Sequence, residues 1–385
     1  MNQELIQKVL DCPTLPSLPT VAMEVLQLSR AKDVNMGELA SAISKDAALA
    51  SKILRTVNSS FYGHSQNIST IRHAVTFLGI DTVKTLVVGF AVVTEMGKRK
   101  PRGFSHVNYW RRSIYAATAA RTLAEKLLHG NQETCFLVAL LMDVGMLVLD
   151  QVIPAEYGEI CERARNHEEL LALEQRTLKV THADVVKLLA EQWKLPITLA
   201  SPMANHHKPQ AVEEYVERKL AEIALLAGRC ADVFVDGKAA MSIAEVRWLC
   251  MELYQISEVE CDAILVNIGQ RTRQLAPLFE IPVDGALTYE SILDAAGEEL
   301  RSLAQVAAGS ATGESSEKRR APRIRKDNAI VILPHTLGGG VERPVTVRLT
   351  TTRSSNSCPC SGASSVRASR TRTPWTTSCR RPSCA

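Results

Sequence analysis

The chain has 385 residues, 46% hydrophobic and 22% charged, with a formal net charge of +4. Those proportions suit a globular protein of two or three domains and exclude a collagen-like or low-complexity chain. The charge is uneven: residues 350–385 carry +6 and residues 317–349 carry +5, which leaves −7 for residues 1–316 and argues against nucleic-acid binding by the main body.

The first ten residues lack a basic stretch followed by an apolar one, so no export signal is expected and the protein is placed in the cytoplasm. Pro13, Pro16 and Pro19 predict an irregular extended arm. From about residue 20 to 305 the apolar spacing is helical. Helices are expected near 20–30 and 36–44, then behind Asp46 as N-cap, where Leu49, Ile53 and Val57 recur every fourth residue. Asp81 is expected to start a helix over 82–93, followed by helices near 106–129, 132–150, 155–165, 168–178, 182–193, 214–234, 242–251, 258–276 and 288–305. No run alternates as a half-buried strand would, so the body is predicted to be all-α. The apolar run 136–153 is interrupted by Asp143 and Asp150 and predicts a buried helix, with no membrane insertion. The cysteines form no CxxC pair or zinc-finger spacing; Cys12, Cys135, Cys161, Cys230, Cys250 and Cys261 lie among apolar residues and are expected as buried free thiols.

The helical domain is predicted to cover 1–306, with a small, polar linker at 307–317. In 318–349, residues 329–334 and 345–349 are β-rich around a Gly-rich turn, like the first hairpin of a small barrel. Residues 350–385 hold nine Ser, seven Thr and six Arg but no Leu, Ile, Phe, Met, Asp or Glu, so they cannot build a core and disorder is expected. The abrupt change after Leu349 reads as a shift of reading frame.

Several separated motifs stand in a definite order. They are Leu15-Pro-Ser-Leu-Pro19, Ile43 through Ser60, Ile71 through Gly79, Tyr109-Trp-Arg-Arg-Ser113, Leu140-Leu-Met-Asp-Val-Gly145, Thr181-His-Ala-Asp184, Trp193-Lys-Leu-Pro196 and Asn205-His-His-Lys-Pro209. Over about residues 10–280 this series resembles the HDOD domain, an all-helical bacterial relative of the HD metal-dependent phosphohydrolases. The resemblance implies an HD-like multi-helical fold and a signalling or scaffolding role exercised on protein partners, with no established reaction and no required cofactor.

Carried across by that resemblance, the first metal-binding His of an HD enzyme falls at Arg112, the His-Asp pair at Met142 and Asp143, and the late Asp near Gly228. A guanidinium cannot ligate a cation, a thioether is a weak soft donor and glycine offers nothing, so only Asp143 survives and no catalysis is expected. Arg112 is expected to pair with Asp143 in the vacated pocket. His182, His206 and His207 could hold a metal with Asp143, which keeps open an HD-type phosphodiesterase with rearranged ligands. The reading preferred for them is structural or vestigial: Thr181-His-Ala-Asp184 has the form of a capping box, and His206 and His207 lie at a helix end. Asn58 is expected to satisfy backbone groups at the end of its helix.

The basic segment 317–326, followed by a strand, resembles the opening of a PilZ domain, a small barrel that binds cyclic di-GMP. Arg319 and Arg323 have that family's Arg-x-x-x-Arg spacing, and two guanidinium forks suit guanine faces and phosphate oxygens. The family's second motif, Asp/Asn-x-Ser-x-x-Gly, is missing after Leu349, so the barrel reads as incomplete. A solvated basic linker is the other reading of the segment. A further alternative gives the arginine-rich tail to nucleic-acid phosphates without sequence preference, Trp375 being its one stacking residue.

Overall fold

The computed structural model describes residues 2–12, 18–30, 34–59, 61–62, 68–98, 101–128, 130–236, 239–283, 285, 288–310, 330–337, 341–350 and 365–368. The chain divides into two units, Met1–Ala295 and Ala296–Ala385.

In the first unit α1 (Gln3–Leu10), α2 (Thr20–Leu28), α3 (Met36–Ser44), α4 (Ala47–Val57), α5 (Ile71–Leu78) and α6 (Ile80–Gly97) precede the long α7 (His106–Leu127). There follow α8 (Gln132–Leu141), α9 (Val144–Val152), α10 (Pro154–Arg163), α11 (His167–Thr177), α12 (His182–Gln192) and α13 (Ile197–Ala204). The last helices are α14 (Tyr215–Val235), α15 (Ala239–Tyr254) and α16 (Glu258–Leu275), and α17 (Tyr289–Ser310) starts in this unit and continues into the second. No strand occurs in this unit among the described residues, as the patterning requires.

Helix α7 is the axis of the unit. It packs against α8, α14 and α16, and Ala116, Ala117, Ala119, Ala120 and Ala124 on it are fully buried. These small side chains let neighbouring helices approach on several sides, which a helix with a single apolar stripe does not need. Asp46 caps α4 by accepting from Leu49 N at 3.0 Å. At the other end Asn58 Nδ2 donates to Leu54 O and Ile68 O, and its Oδ1 accepts from Ile68 N, each at 2.8 Å. Asn58 therefore closes the helix as its sequence position suggested, and also ties it to residue 68.

Three sequence expectations are corrected. Asp81 does not begin its helix: Gly79, with φ of 83°, makes the turn out of α5 and α6 starts at Ile80. Asp81 lies in the first turn, where its charge suits the helix dipole. Helices α1, α5 and α13 are additional, and α13 carries Pro202 internally. The expected single helix 132–150 is two helices, broken at Met142 and Asp143. The run 132–152 is long and apolar enough to cross a membrane by composition, but 89% of its 18-residue apolar window is buried. The thiols of Cys135, Cys230, Cys250 and Cys261 are free and buried, whereas Cys12 and Cys161 are partly exposed.

In the second unit β1 (Ile330–Leu337) pairs antiparallel with β2 (Val341–Thr350), with Ile330 opposite Arg348 and Leu337 opposite Val341. A short β3 (Ser365–Ala368) pairs antiparallel with the end of β2. Residues 330–334 and 345–349 lie in β1 and β2, and Ala329 lies outside the described residues. Arg319, Arg323, residues 311–317 of the linker and the rest of 351–385, Trp375 included, lie outside the described residues.

Candidate metal centre

The pocket is assembled from helix ends. Asp143 sits in the break between α8 and α9 and makes no capping hydrogen bond, so its carboxylate is left for side chains. His167 and His182 are each the first residue of a helix, behind the caps Asn166 and Thr181. The predicted capping box is present: Thr181 Oγ1 accepts from Asp184 N, and Asp184 Oδ2 accepts from Thr181 N at 2.8 Å. His206 and His207 follow α13. Gly145 lets α9 meet α12, because a Cβ there would lie 2.1 Å from the His182 carbonyl oxygen.

The two oxygens of Asp143 have different surroundings. Oδ2 accepts from Arg112 Nη1, as expected from the sequence. Arg112 Nε also donates to Asp232 Oδ1 at 2.7 Å, and Nη2 to Gly228 O at 3.4 Å. A Cβ at Gly228 would come within 3.2 Å of both the Arg112 guanidinium and the Met142 methyl, so these side chains fill the space where a larger residue would project. Burial opposes the Arg112 charge, but the two carboxylates outweigh it and hold the group cationic.

Oδ1 faces His167 Nε2 at 3.3 Å, His206 Nε2 at 3.3 Å and His182 Nε2 at 3.4 Å. His182 Nε2 is 2.9 Å from His207 Nε2. All five ligand atoms lie within 4.8 Å of one another. Asp143 Oδ1, His167 Nε2 and His206 Nε2 are buried and make no hydrogen bond.

A second layer orients two of the rings. His182 Nδ1 lies 2.7 Å from Glu174 Oε2, which also accepts from His182 N at 2.9 Å, while Tyr157 Oη donates to Glu174 Oε1 at 2.7 Å. His206 Nδ1 lies 2.7 Å from the Met203 carbonyl, which can only accept. Burial works against an imidazolium at His182, but Glu174 and Asp143 outweigh it and raise the group to about 10. Burial and the neighbouring positive charges push His167 down to about 4 and His207 well below its usual range. In its protonated form His182 donates from Nδ1 to Glu174 and from Nε2 to His207. Burial also opposes the Asp143 charge, and Arg112 and His167 more than offset it, holding the carboxyl well below its usual range.

A cleft of about 510 Å³ reaches this pocket between the 103–105 turn, α7 and α11, and ends on Arg112, Asp143 and His167. Its rim is fixed by the buried Asp150, which accepts from Arg102 N and Gly103 N and lies 2.9 Å from His106 Nε2.

The structure thus brings together Arg112, Met142, Asp143, His182, His206 and His207. His167, Glu174 and Asp232 were not singled out from the sequence. The available signal for His167 was Asn166-His-Glu-Glu169, a capped helix start of the same kind as Thr181-His-Ala-Asp184.

The HDOD domain model matches residues 15–209, half of the chain. A Shewanella amazonensis SB2B structure carrying a provisional phosphohydrolase name is 25% identical, with a TM-score of 0.56, covering 71% of this chain and 97% of that one. An HDOD domain protein of unknown function from Geobacter sulfurreducens is 20% identical, with a TM-score of 0.59 over 72% of this chain and 98% of that one. A Marinobacter aquaeolei VT8 protein provisionally named for signal transduction is 22% identical, with a TM-score of 0.55 over 72% of this chain and 66% of that one. The last two likenesses concern the fold. An uncharacterized protein of Treponema pallidum (strain Nichols) is 26% identical over 205 residues, 52% of this chain, and the match spans 39% of that relative's length. Ordered motifs, an all-α body and the matched residues agree that the chain belongs to the HDOD domain family.

Proposed function

We propose that this chain is a non-catalytic signal-transduction module, in which the HDOD unit acts by binding protein partners. The observation that carries the reading is Arg112. It stands where the HD pattern requires a metal ligand and is held there by Asp143 and Asp232. A fixed guanidinium on one oxygen of Asp143 takes that oxygen away from a bridging role between two metal ions, the arrangement that serves in-line phosphoryl displacement. Phosphodiesterase and phosphomonoesterase assays of the full chain with Mn²⁺, Fe²⁺ or Zn²⁺ test the reading. No turnover above the metal-only blank is expected; turnover that disappears in Asp143→Ala would refute it.

The same reading couples the HDOD unit to cyclic di-GMP through Arg319 and Arg323, supported by their spacing ahead of β1. Equilibrium dialysis of the full chain with labelled cyclic di-GMP tests that part. Binding that is lost in the double variant Arg319→Ala/Arg323→Ala supports it, and no binding, or binding unchanged in the variant, rejects it.

A further inference from the structure

Three imidazoles converge on one carboxylate oxygen and a fourth, His207, joins them beside His182, and their hydrogen bonds do not account for the arrangement. His206 faces a carbonyl through Nδ1, so that nitrogen carries the hydrogen and Nε2 presents its lone pair inward. His182 is held by Glu174 through Nδ1 in the same sense, leaving Nε2 toward the centre. An imidazole whose outer nitrogen is fixed by a carboxylate or carbonyl is the usual support of a metal-ligating histidine. Asp143 Oδ1, His167 Nε2 and His206 Nε2 point into the same space without a hydrogen bond, although leaving buried polar atoms unsatisfied is costly.

Distance favours an ion. A metal–nitrogen bond of ~2.1 Å places adjacent ligands ~3.0 Å apart and opposite ligands ~4.2 Å apart. The separations here run from 2.9 Å to at most 4.8 Å, so contraction by a few tenths of an ångström closes the cage.

We infer that Asp143, His167, His182, His206 and His207 bind one first-row divalent transition ion, with Arg112 holding the place of a second. Four imidazoles and one carboxylate suit zinc or iron(II), whereas Mg²⁺ and Ca²⁺ prefer oxygen donors. The ion would tie together the α8–α9 break, the starts of α11 and α12 and the end of α13. This goes beyond the signalling proposal and does not depend on it, since such an ion can order a domain that performs no hydrolysis.

The test uses the full untagged chain, purified without chelator or a metal-affinity column. Elemental analysis is expected to find one transition ion per chain. After chelator treatment, Zn²⁺ is expected to raise the thermal midpoint and Mg²⁺ to leave it unchanged. Glu174→Gln and His207→Gln are expected to weaken zinc binding at least tenfold; His207, being partly exposed, is the variant least prone to misfold, with circular dichroism as the check on both. A wild-type chain with neither bound ion nor zinc-dependent stabilisation overturns the inference, as does zinc affinity unchanged in both folded variants. Two ions per chain would overturn the role given to Arg112. One bound ion with nucleotide turnover would remove the signalling-only reading and leave the metal site standing.

Discussion

The two sides of Asp143 differ: the Oδ2 side, met by residues inside α7 and α14, is closed, and the Oδ1 side, built from helix ends, is open. On the Oδ2 side Arg112 is satisfied by Asp143, Asp232 and the Gly228 carbonyl, and no space remains beside Gly228. On the Oδ1 side His167, His182 and His206 approach to 3.3–3.4 Å without a matched donor and acceptor. A closed ion pair fixes structure. An open set of lone pairs offers electron-pair donors, and the same carboxylate serves both.

The largest effect is expected from Arg112→Ala. It leaves Asp143 and Asp232 buried without their cation, and removing one partner of a buried pair costs about 3–5 kcal/mol. Equilibrium urea unfolding measures this directly. A loss below about 1 kcal/mol, the range of an exposed pair, would mean that the Oδ2 side is not closed by Arg112 at all. Gly145→Ala comes next and acts on the open side. Its new methyl would collide with the His182 backbone, and overpacking of that kind costs about 1–3 kcal/mol. Because the collision pushes α12 away from α9, the variant is also expected to lose zinc-dependent stabilisation while Arg112→Lys keeps it. Equal zinc responses in the two would erase the distinction between the sides.

How much of this was legible in the sequence follows from the range of each signal. Caps are local, so Asp46, Asn58 and the Thr181–Asp184 box were readable from a few residues and stand in the structure. The break at Met142 and Asp143 was not readable, because the apolar run continues through it and the reason for it is tertiary. Asp143 must leave the helical path to face α11, α12 and the end of α13. The Arg112–Asp143 pair was readable because the family resemblance placed both residues in one pocket. Asp232 was not, since the same alignment pointed one turn earlier, to Gly228. His167 stands behind the N-cap Asn166, a position with a sufficient local explanation of its own. Convergence of four such histidines is a property of the fold, invisible to any window of sequence.

Thr181→Ala tests how far the open side depends on its caps. Losing an N-cap costs about 1 kcal/mol, less than either change above, and the urea midpoint should fall accordingly. The informative readout is again zinc. Thr181 precedes His182 directly, so a frayed α12 start should lower zinc affinity more than the same loss of stability imposed by Asn166→Ala at the start of α11, since His182 is braced by Glu174 and touches both Asp143 and His207. The reverse order would make His167 the better-held ligand.

The smallest effect belongs to the outer edge of the closed side. Asp236 borders the cleft, and burial together with the nearby Asp232 raises its carboxyl from 3.8 to about 7, against the pull of Arg112 and Arg229. A raised carboxyl means that the folded chain binds this proton more tightly than the unfolded chain does. Its contribution to stability is therefore fully present below about pH 3.8 and is lost as pH rises through about 7. Asp236→Asn, which stays neutral, is expected to remove that part of the pH dependence and to be more stable than wild type at pH 8, with a smaller advantage at pH 5. Thermal melts at the two pH values decide it. If wild type gains stability from pH 5 to 8 relative to Asp236→Asn, then Asp236 is charged and paired with Arg112 or Arg229, and the closed side extends one helical turn farther out than Asp232.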